Sequence, residues 1–510
     1  APARERLAYD ELLAHQMTLA LARAKVKRAK GFATAGDGRL RKKVLTALPY
    51  SPTSAQRRAI DEITTDMATP ARMNRLLQGD VGSGKTLVAL MAMLAATEAG
   101  GQAAMMAPTE ILARQHLESL APLAEAAGIR LALLTGRDKG EARAAKLAAL
   151  ASGEIAILVG THALFQSDVA FHDLRLAVID EQHRFGVRQR MDLGAKGRAP
   201  DILVMTATPI PRSLALAQYG DMDLSVLDEK PPGRQPVETV LISAARTDEV
   251  IAHLGGALAD GRQIYWVCPL VDESETVDLK AAEARVESLR AAIGPDVVGL
   301  VHGRLRPEDK DAAMAAFVAG KTRVLVATTV IEVGVNVPEA SIMVIEGAHS
   351  FGLAQLHQLR GRVGRGTARS TCLLLYDAPL SDSARAANAR GPPPMMTASA
   401  PPSCAAFWIA SDSARARLEI MRQTEDGFAI AEEDLRLRGA GDLLGVQQSG
   451  LPRFRIADLE TRPDLLRVAQ DDARMLLAVD PDLSSSRGQA MRTLLWLMER
   501  DRAIRMLAVG

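Results

Sequence analysis

Aromatic side chains make up only 3% of the 510 residues, and there are just three cysteines. Recognition built on bases stacked over aromatic rings is therefore not expected, because such platforms need several rings along a groove. Cys268, Cys372 and Cys404 stand far apart with no CxxC spacing, which argues against a disulfide framework or a zinc site and fits a reducing cytoplasm. No apolar run approaches the roughly 20 residues that span a bilayer. The start, Ala1–Asp10, is polar and charged, unlike a secretory signal. An excess of one charge is missing too: 62 basic and 61 acidic residues leave +1. That excludes a globally basic nucleic-acid binder while leaving room for a local basic patch. If the chain binds nucleic acid, it must hold phosphates through backbone amides, Arg and Lys.

What is present is an ordinary globular balance, 48% hydrophobic and 24% charged, which excludes disorder throughout. At ~100–200 residues per domain the length predicts roughly three or four domains. A basic amphipathic helix is expected over Ala3–Lys30, with Leu7, Leu12, Leu13, Met17, Leu19 and Leu21 mostly at helical spacing. Its end, with Lys25, Lys27, Arg28 and Lys30, reads as a solvated helix end in preference to a DNA contact. From about Thr53 to Leu227, strands predicted at Ala103–Ala107, Leu131–Thr135, Ile155–Val159, Leu176–Asp180 and Ile202–Thr206 alternate with amphipathic segments, as in a covered parallel sheet. Lys230–Gly233 breaks the pattern and reads as a linker.

The alternation restarts at Val237, with strands predicted at Val237–Ile242, Gln263–Pro269, Val297–Val301, Val324–Ala327, Ile342–Ile345 and Thr371–Tyr376. The fold class is therefore α/β: two tandem parallel-sheet lobes. Gly391–Pro402 is a low-complexity stretch flanked by two copies of Ser-Asp-Ser-Ala-Arg-Ala, at Ser381–Ala386 and Ser411–Ala416. It reads as an insertion that interrupts one helix and duplicates its start; a partner-binding loop is the other reading. The remainder reads as helical, with short helices at Arg417–Thr424 and Ala431–Leu437, a break at Gly427 and a loop over Gly439–Gly450. The expected plan is residues 1–50 as an N-terminal helical linker, 51–229 and 230–380 as the lobes, 381–412 as the insert, and 413–510 as the C-terminal hairpin and helices.

Gly79, Asp80, Val81, Gly82, Ser83, Gly84, Lys85 and Thr86 satisfy G-x-x-x-x-G-K-[ST] in full, between apolar Leu76-Leu77 and the helical run Leu87–Ala96. Glycines let backbone N–H groups approach phosphates, and the helix N-terminus adds partial positive charge. In that context Lys85 reaches the β- and γ-phosphates of ATP, and Thr86 is a ligand for Mg²⁺. The apolar strand Leu176–Ile179 ends in Asp180 and Glu181. Beside a complete phosphate loop, Asp180 reads as the Mg²⁺ carboxylate and Glu181 as the group that orients the attacking water. Thr206 and Thr208 end another strand, where their hydroxyls could relay nucleotide state; alone this signal is weak, since Thr is a common strand residue. In the second lobe Arg360, Arg362 and Arg365 crowd among glycines and offer a planar cation for charge developing on the γ-phosphate. Without a phosphate loop elsewhere, such a run would read as a surface turn.

Together these strings resemble the motor of superfamily 2 helicases, most closely the RecG family of bacterial replication-fork helicases, from about Ala8 to Leu459. The specific strings are Asp180-Glu-Gln-His183 followed by Arg184-Phe-Gly-Val187, then Gly261–Pro269, Thr328–Gly334 and Gly352–Arg362. Glu433–Gly439 with Gln447–Pro452 is similar to the translocation motif that the family shares with the transcription-repair coupling factors, which typically carry Glu in place of Gln182. The resemblance implies RecA-like lobes, with Gln56 reading adenine. It implies Ala107-Pro-Thr109, Gly136-Arg137 and Thr161-His162 on the DNA backbone. Thr206 and Thr208 would couple hydrolysis to movement, Gly334 would join the lobes, and Arg362 and Arg365 would meet the γ-phosphate. Arg417, Arg438 and Gln448 fall in the translocation hairpin.

Three departures stand out. Asn336 replaces a common Asp, Ser350 replaces a common Arg, and the family's N-terminal wedge, an OB-fold, has no counterpart here, so the sequence reads as the motor portion; the insert at Asn388–Ile409 is also unusual. The implied function is an ATP- and Mg²⁺-dependent DNA translocase that remodels stalled forks and Holliday junctions in recombination and repair. The implied partners are duplex and branched DNA and a single-stranded DNA-binding protein, the implied state a monomer, the place the cytoplasm. The alternatives are a coupling-factor-like translocase and a nucleotide-dependent DNA-binding scaffold without a productive motor.

Overall fold

The computed structural model describes residues 2–28, 31–181, 200–209, 222–231, 235–269, 275–328, 337, 339–364, 366, 368–377, 414–442, 454–457 and 463–500. The chain forms two units, one from Ala1–Pro231 and Arg438–Gly510, the other from Pro232–Leu437. Among the described residues no helix is long and apolar enough to cross a membrane.

The first unit is built on a parallel sheet whose described strands run in the order β3-β4-β2-β5-β6-β1-β7. They are β1 Asn74–Gly79, β2 Gln102–Met106, β3 Leu131–Leu134, β4 Ile157–Gly160, β5 Leu174–Ile179, β6 Asp201–Thr206 and β7 Asp223–Leu227. The central strands β2, β4 and β6 are buried along their whole length, as expected of a sheet covered on both faces. Helix α4, Lys85–Glu98, lacks a polar stripe because Leu87–Ala96 are all buried. The edge strand β7 escapes sequence reading: Asp-Leu-Ser-Val-Leu alternates partly exposed and buried positions and looks like a turn.

Around this sheet lie α1 Pro2–Arg28, α2 Arg39–Ala47, α3 Ser54–Met67, α5 Glu110–Ala127 and α6 Gly140–Ala151. The buried carboxylate of Glu98 accepts the N–H groups of Gly38 (2.9 Å) and Arg41 (3.0 Å) and pairs with the Arg41 guanidinium, which pins the start of α2 to the end of α4. A separate apolar cluster joins the chain's two ends: Leu12, Met17 and Leu21 pack with Leu466, Ala469, Ala473 and Leu495 from the C-terminal helices Pro463–Val479 and Ser486–Leu497.

The second unit carries a parallel sheet with described strands in the order β10-β11-β9-β12-β13-β8. These are β8 Val237–Ser243, β9 Gln263–Val267, β10 Val298–Val301, β11 Val324–Ala327, β12 Ala340–Ile345 and β13 Ser370–Tyr376, with helices α7 Thr247–Ala259, α8 Glu275–Ile293, α9 Pro307–Val318 and α10 Leu353–Arg360. The expected class, two parallel-sheet lobes with a helical C-terminal region, is the observed one.

The hairpin helices differ in detail from expectation. The first, α11, covers 414–423, and the second, α12, Gly427–Asp442, begins at the glycine expected to break it. The break is 424–426 instead, because Thr424 Oγ1 accepts the Asp426 N–H (3.0 Å) and the Asp426 carboxylate accepts the Phe428 N–H (2.9 Å), capping the new helix. The insert at 381–412, the linker residues 232–234 and Cys404 lie outside the described residues.

Candidate active site

In a parallel sheet all strand ends of one sense emerge at one edge, and ligands bind there. Here that edge divides into two halves. On one half stand β1, β6 and β5, which lead into the phosphate loop, Thr206 and Asp180; the pairing of Gln78 with Thr206 and of Ile179 with Val204 keeps them nearly level. On the other half stand β2, β4 and β3, which lead into Ala107–Thr109, Thr161-His162 and Gly136-Arg137.

The phosphate loop turns through left-handed backbone at Gly82 (φ 77°) and Gly84 (φ 85°). A Cβ on Gly84 would lie 2.2 Å from Gln56 Nε2. Gln56 donates that amide to the Ser83 carbonyl at 2.8 Å, while its Oε1 accepts the Thr53 N–H at 3.0 Å as part of the capping box that starts α3. The residue expected on adenine thus also braces the loop. The Lys85 ammonium donates to the carbonyls of Gly79 (2.7 Å) and Asp80 (2.8 Å), and Thr86 follows in the first turn of α4.

Asp180 is buried, and its carboxylate meets two donors. His116 Nε2 lies 2.8 Å from one oxygen, and the Glu181 N–H donates to the other at 3.0 Å. Burial works to raise the carboxyl's pKa, but the His116 hydrogen bond, the charges of His116 and Lys85 and the Glu181 amide outweigh it and hold the group below the usual carboxylate range. Glu181 sits at φ 51°, an uncommon conformation for a side-chain-bearing residue and the kind of strain that clusters at functional sites. Gln182, His183 and the residues to 199 lie outside the described residues. Thr206 and Thr208 meet each other: the Thr208 N–H donates to Thr206 Oγ1 at 3.2 Å.

On the other half, Thr109 caps α5, accepting the Leu112 N–H at 3.4 Å. Glu110, in the first turn, pairs with Arg137 at 3.3 Å. Thr161 is buried at the start of a short 3-10 turn, His162–Phe165, and the Ala107 N–H donates to Gly160 O at 2.9 Å. The three segments expected on the DNA backbone are therefore brought to neighbouring strand ends.

In the second unit Arg362 is buried after α10, and Arg365 and Gly334 lie outside the described residues. Arg360 is equally buried but turned toward the protein, donating to Met421 O (2.5 Å), Thr239 Oγ1 (3.3 Å) and His357 (3.1 Å). Arg417 donates to His349 O at 3.3 Å. Arg438 lies within α12, and Gln448 falls outside the described residues. His116 was missed from the sequence. A single histidine in an amphipathic helix, 64 residues from Asp180, carries no signal of its own.

A phosphate loop and a strand-end acid pair on one parallel sheet, followed by a second parallel sheet, define the two-lobed helicase class of ATP-binding proteins. The DEAD/DEAH box helicase family matches residues 53–216, the helicase conserved C-terminal domain 247–367, and the C-terminal part of domain 3 of the ATP-dependent DNA helicase RecG 424–503. The chain is 44% identical to RecG of Pasteurella multocida over 98% of its own length and 68% of that protein, and 48% identical to RecG of Escherichia coli K12 over 90% and 62%. A solved structure of RecG bound to a three-way DNA junction superposes with a TM-score of 0.71 at 42% identity, over 91% of this chain and 57% of that one. The chain belongs to the RecG family of ATP-dependent DNA helicases. It spans about 62% of the length of the Escherichia coli relatives.

Proposed function

We propose that this chain is an ATP-driven motor that translocates on duplex DNA and acts on branched DNA, at stalled forks and Holliday junctions, in recombination and repair. The observation that carries the reading is the division of one sheet edge into a phosphate-loop half and a half bearing 107–109, 136–137 and 161–162. Membership of the RecG family supports it, and the solved relative is itself bound to a three-way DNA junction. The proposed working unit is a monomer, with a single-stranded DNA-binding protein as a further partner.

The chemistry follows from the residues. Lys85 exchanges the carbonyls of Gly79 and Asp80 for β- and γ-phosphate oxygens. Thr86 and Asp180 are the proposed Mg²⁺ holders. Their oxygens suit a hard cation, and a carboxylate kept ionised fits one that takes one or two protein ligands and fills its shell with phosphates and water. When bound, the ion would neutralise charge between the β- and γ-phosphates. Glu181 orients the attacking water, and Gln56 senses adenine through the loop it braces. Arg362 and Arg365 are the proposed cations for charge developing on the γ-phosphate. Thr206 and Thr208, Gly334, and the hairpin residues Arg417, Arg438 and Gln448 are proposed to turn hydrolysis into movement.

Two measurements test this together: phosphate release with and without duplex DNA, and displacement of a triplex-forming strand. DNA-stimulated release with displacement is expected. Arg438→Ala or Gln448→Ala should keep much of the stimulated release and lose displacement. A wild-type chain that binds nucleotide and DNA but shows neither activity would be a scaffold.

A further inference from the structure

The two halves of the sheet edge meet between β5 and β2, and one short segment spans the join. Both ends of residues 106–116 bond to Asp180. The Asp180 N–H donates to Met106 O at 2.9 Å, and His116 Nε2 lies 2.8 Å from the Asp180 carboxylate. In the tautomer with Nε2 protonated, His116 donates to this carboxylate. Both side chains are buried. Water is thus poorly placed to substitute for the bond if it breaks, and the cost of losing it is correspondingly high.

Within that segment lie Ala107, Pro108 and Thr109. Thr109 caps α5, and His116 sits about two turns further along the same helix. Glu110, beside the cap, pairs with Arg114 on its own helix at 2.7 Å and with Arg137 at 3.3 Å, so Arg137 is its tie to the neighbouring strand end. A phosphate arriving at this edge competes with Glu110 for the guanidinium. Movement of the helix start is then passed along a rigid element and through the His116 side chain to Asp180.

We propose that His116 is a positioning residue that couples the 107–109 loop to the Asp180 carboxylate, so that DNA backbone bound at one half of the edge and nucleotide bound at the other change each other's affinity. The inference rests on the motor reading above, which supplies the two ligands. Coupling of this kind is reciprocal, so it is read from binding alone, without turnover.

The test compares the full chain with His116→Gln, whose Nε2 amide can still donate, and His116→Phe, which keeps a ring and loses the donor. Duplex DNA affinity is measured by fluorescence anisotropy with and without Mg²⁺ and the non-hydrolysable analogue AMP-PNP. In the wild type the analogue should shift the DNA affinity by about fivefold or more in either direction. His116→Gln should keep most of that factor, and His116→Phe should bring it to within about twofold of one. A His116→Phe protein with the wild-type factor overturns the relay and leaves the motor reading standing. Equal loss in Gln and Phe also overturns it, since the residue is then only structural. A wild-type chain with no factor overturns the coupling, while phosphate release and strand displacement still decide the motor reading. If His116→Phe does not fold by circular dichroism, His116→Leu makes the same comparison.

Discussion

The Lys85 ammonium lies 2.7 Å from the carbonyl oxygen of Gly79, the residue that opens its own phosphate loop. The lysine is thus parked on the loop's carbonyls and stands ready to be exchanged onto phosphate oxygens. Lys85→Ala should lower ATP turnover by about a hundredfold or more and weaken nucleotide binding, because nothing else in the loop carries a full positive charge. Glu181→Gln should bind nucleotide normally and lose turnover by a similar factor. Equilibrium binding of a fluorescent ATP analogue beside steady-state phosphate release separates the two.

Gly84 and Gln56 should behave as one unit. Gly84→Ala forces a Cβ to 2.2 Å from Gln56 Nε2 and holds alanine at φ 85°, so a loss of about 1–3 kcal/mol is expected. In a Gln56→Ala background the steric part disappears, and Gly84→Ala should then cost clearly less. Thermal unfolding of the two single variants and the double variant measures the difference; strict additivity would mean that the contact carries no strain.

Arg360 holds α11 to β8 through Met421 O and Thr239 Oγ1. Arg360→Ala strands a buried carbonyl and opens a cavity, at about 2–4 kcal/mol. Hydrogen exchange should accelerate over 414–423 and over β8, while β1–β6 of the other unit keep their protection. Arg360→Lys should recover only part, since an ammonium lacks the planar fork that reaches three acceptors.

Asp201 gives a pH test away from the site. Burial raises its carboxyl to about 7, against the Met73 N–H and the Arg72 guanidinium, which pull it down. Between about pH 4 and 7 the folded chain keeps a proton that the unfolded chain has lost. Stability from this group is therefore greatest at low pH, falls as pH rises through that window, and is flat above it. Asp201→Asn retains an oxygen for the Met73 N–H and removes the charge. It should raise the unfolding temperature at pH 8, by at most about 4 kcal/mol in stability, and the gain should shrink at pH 5. Calorimetry at the two pH values decides it.

Much of the fold was legible because buried parallel strands are continuous apolar runs: Val324–Ala327 was read with its observed bounds, and Gln263–Val267 within a slightly longer run. The edge strand Asp223–Leu227 was not, since three of its five residues are only partly buried and its composition resembles a turn. At the site, the phosphate loop is a contiguous string and reads directly. The Asp180–His116 contact is not contiguous. It exists only because β5 and β2 are neighbours, and sheet order is set by tertiary packing that no local pattern records. Arg360 shows the converse. Its spacing groups it with Arg362 and Arg365, yet its guanidinium is spent on α11 and β8.

The apolar cluster that joins the two ends of the chain also sets a timetable. Leu12, Leu13 and Met17 leave the ribosome about 450 residues before Leu466 and Ala469, their partners, are made. At roughly 5–20 residues per second that is a delay of about 20 to 90 seconds. Throughout it, the apolar face of the first helix has no native surface to cover it, while the second unit, encoded between, can already fold. Synthesis therefore passes through a stage in which the helix Pro2–Arg28 is made but the helices that cover its apolar face are not.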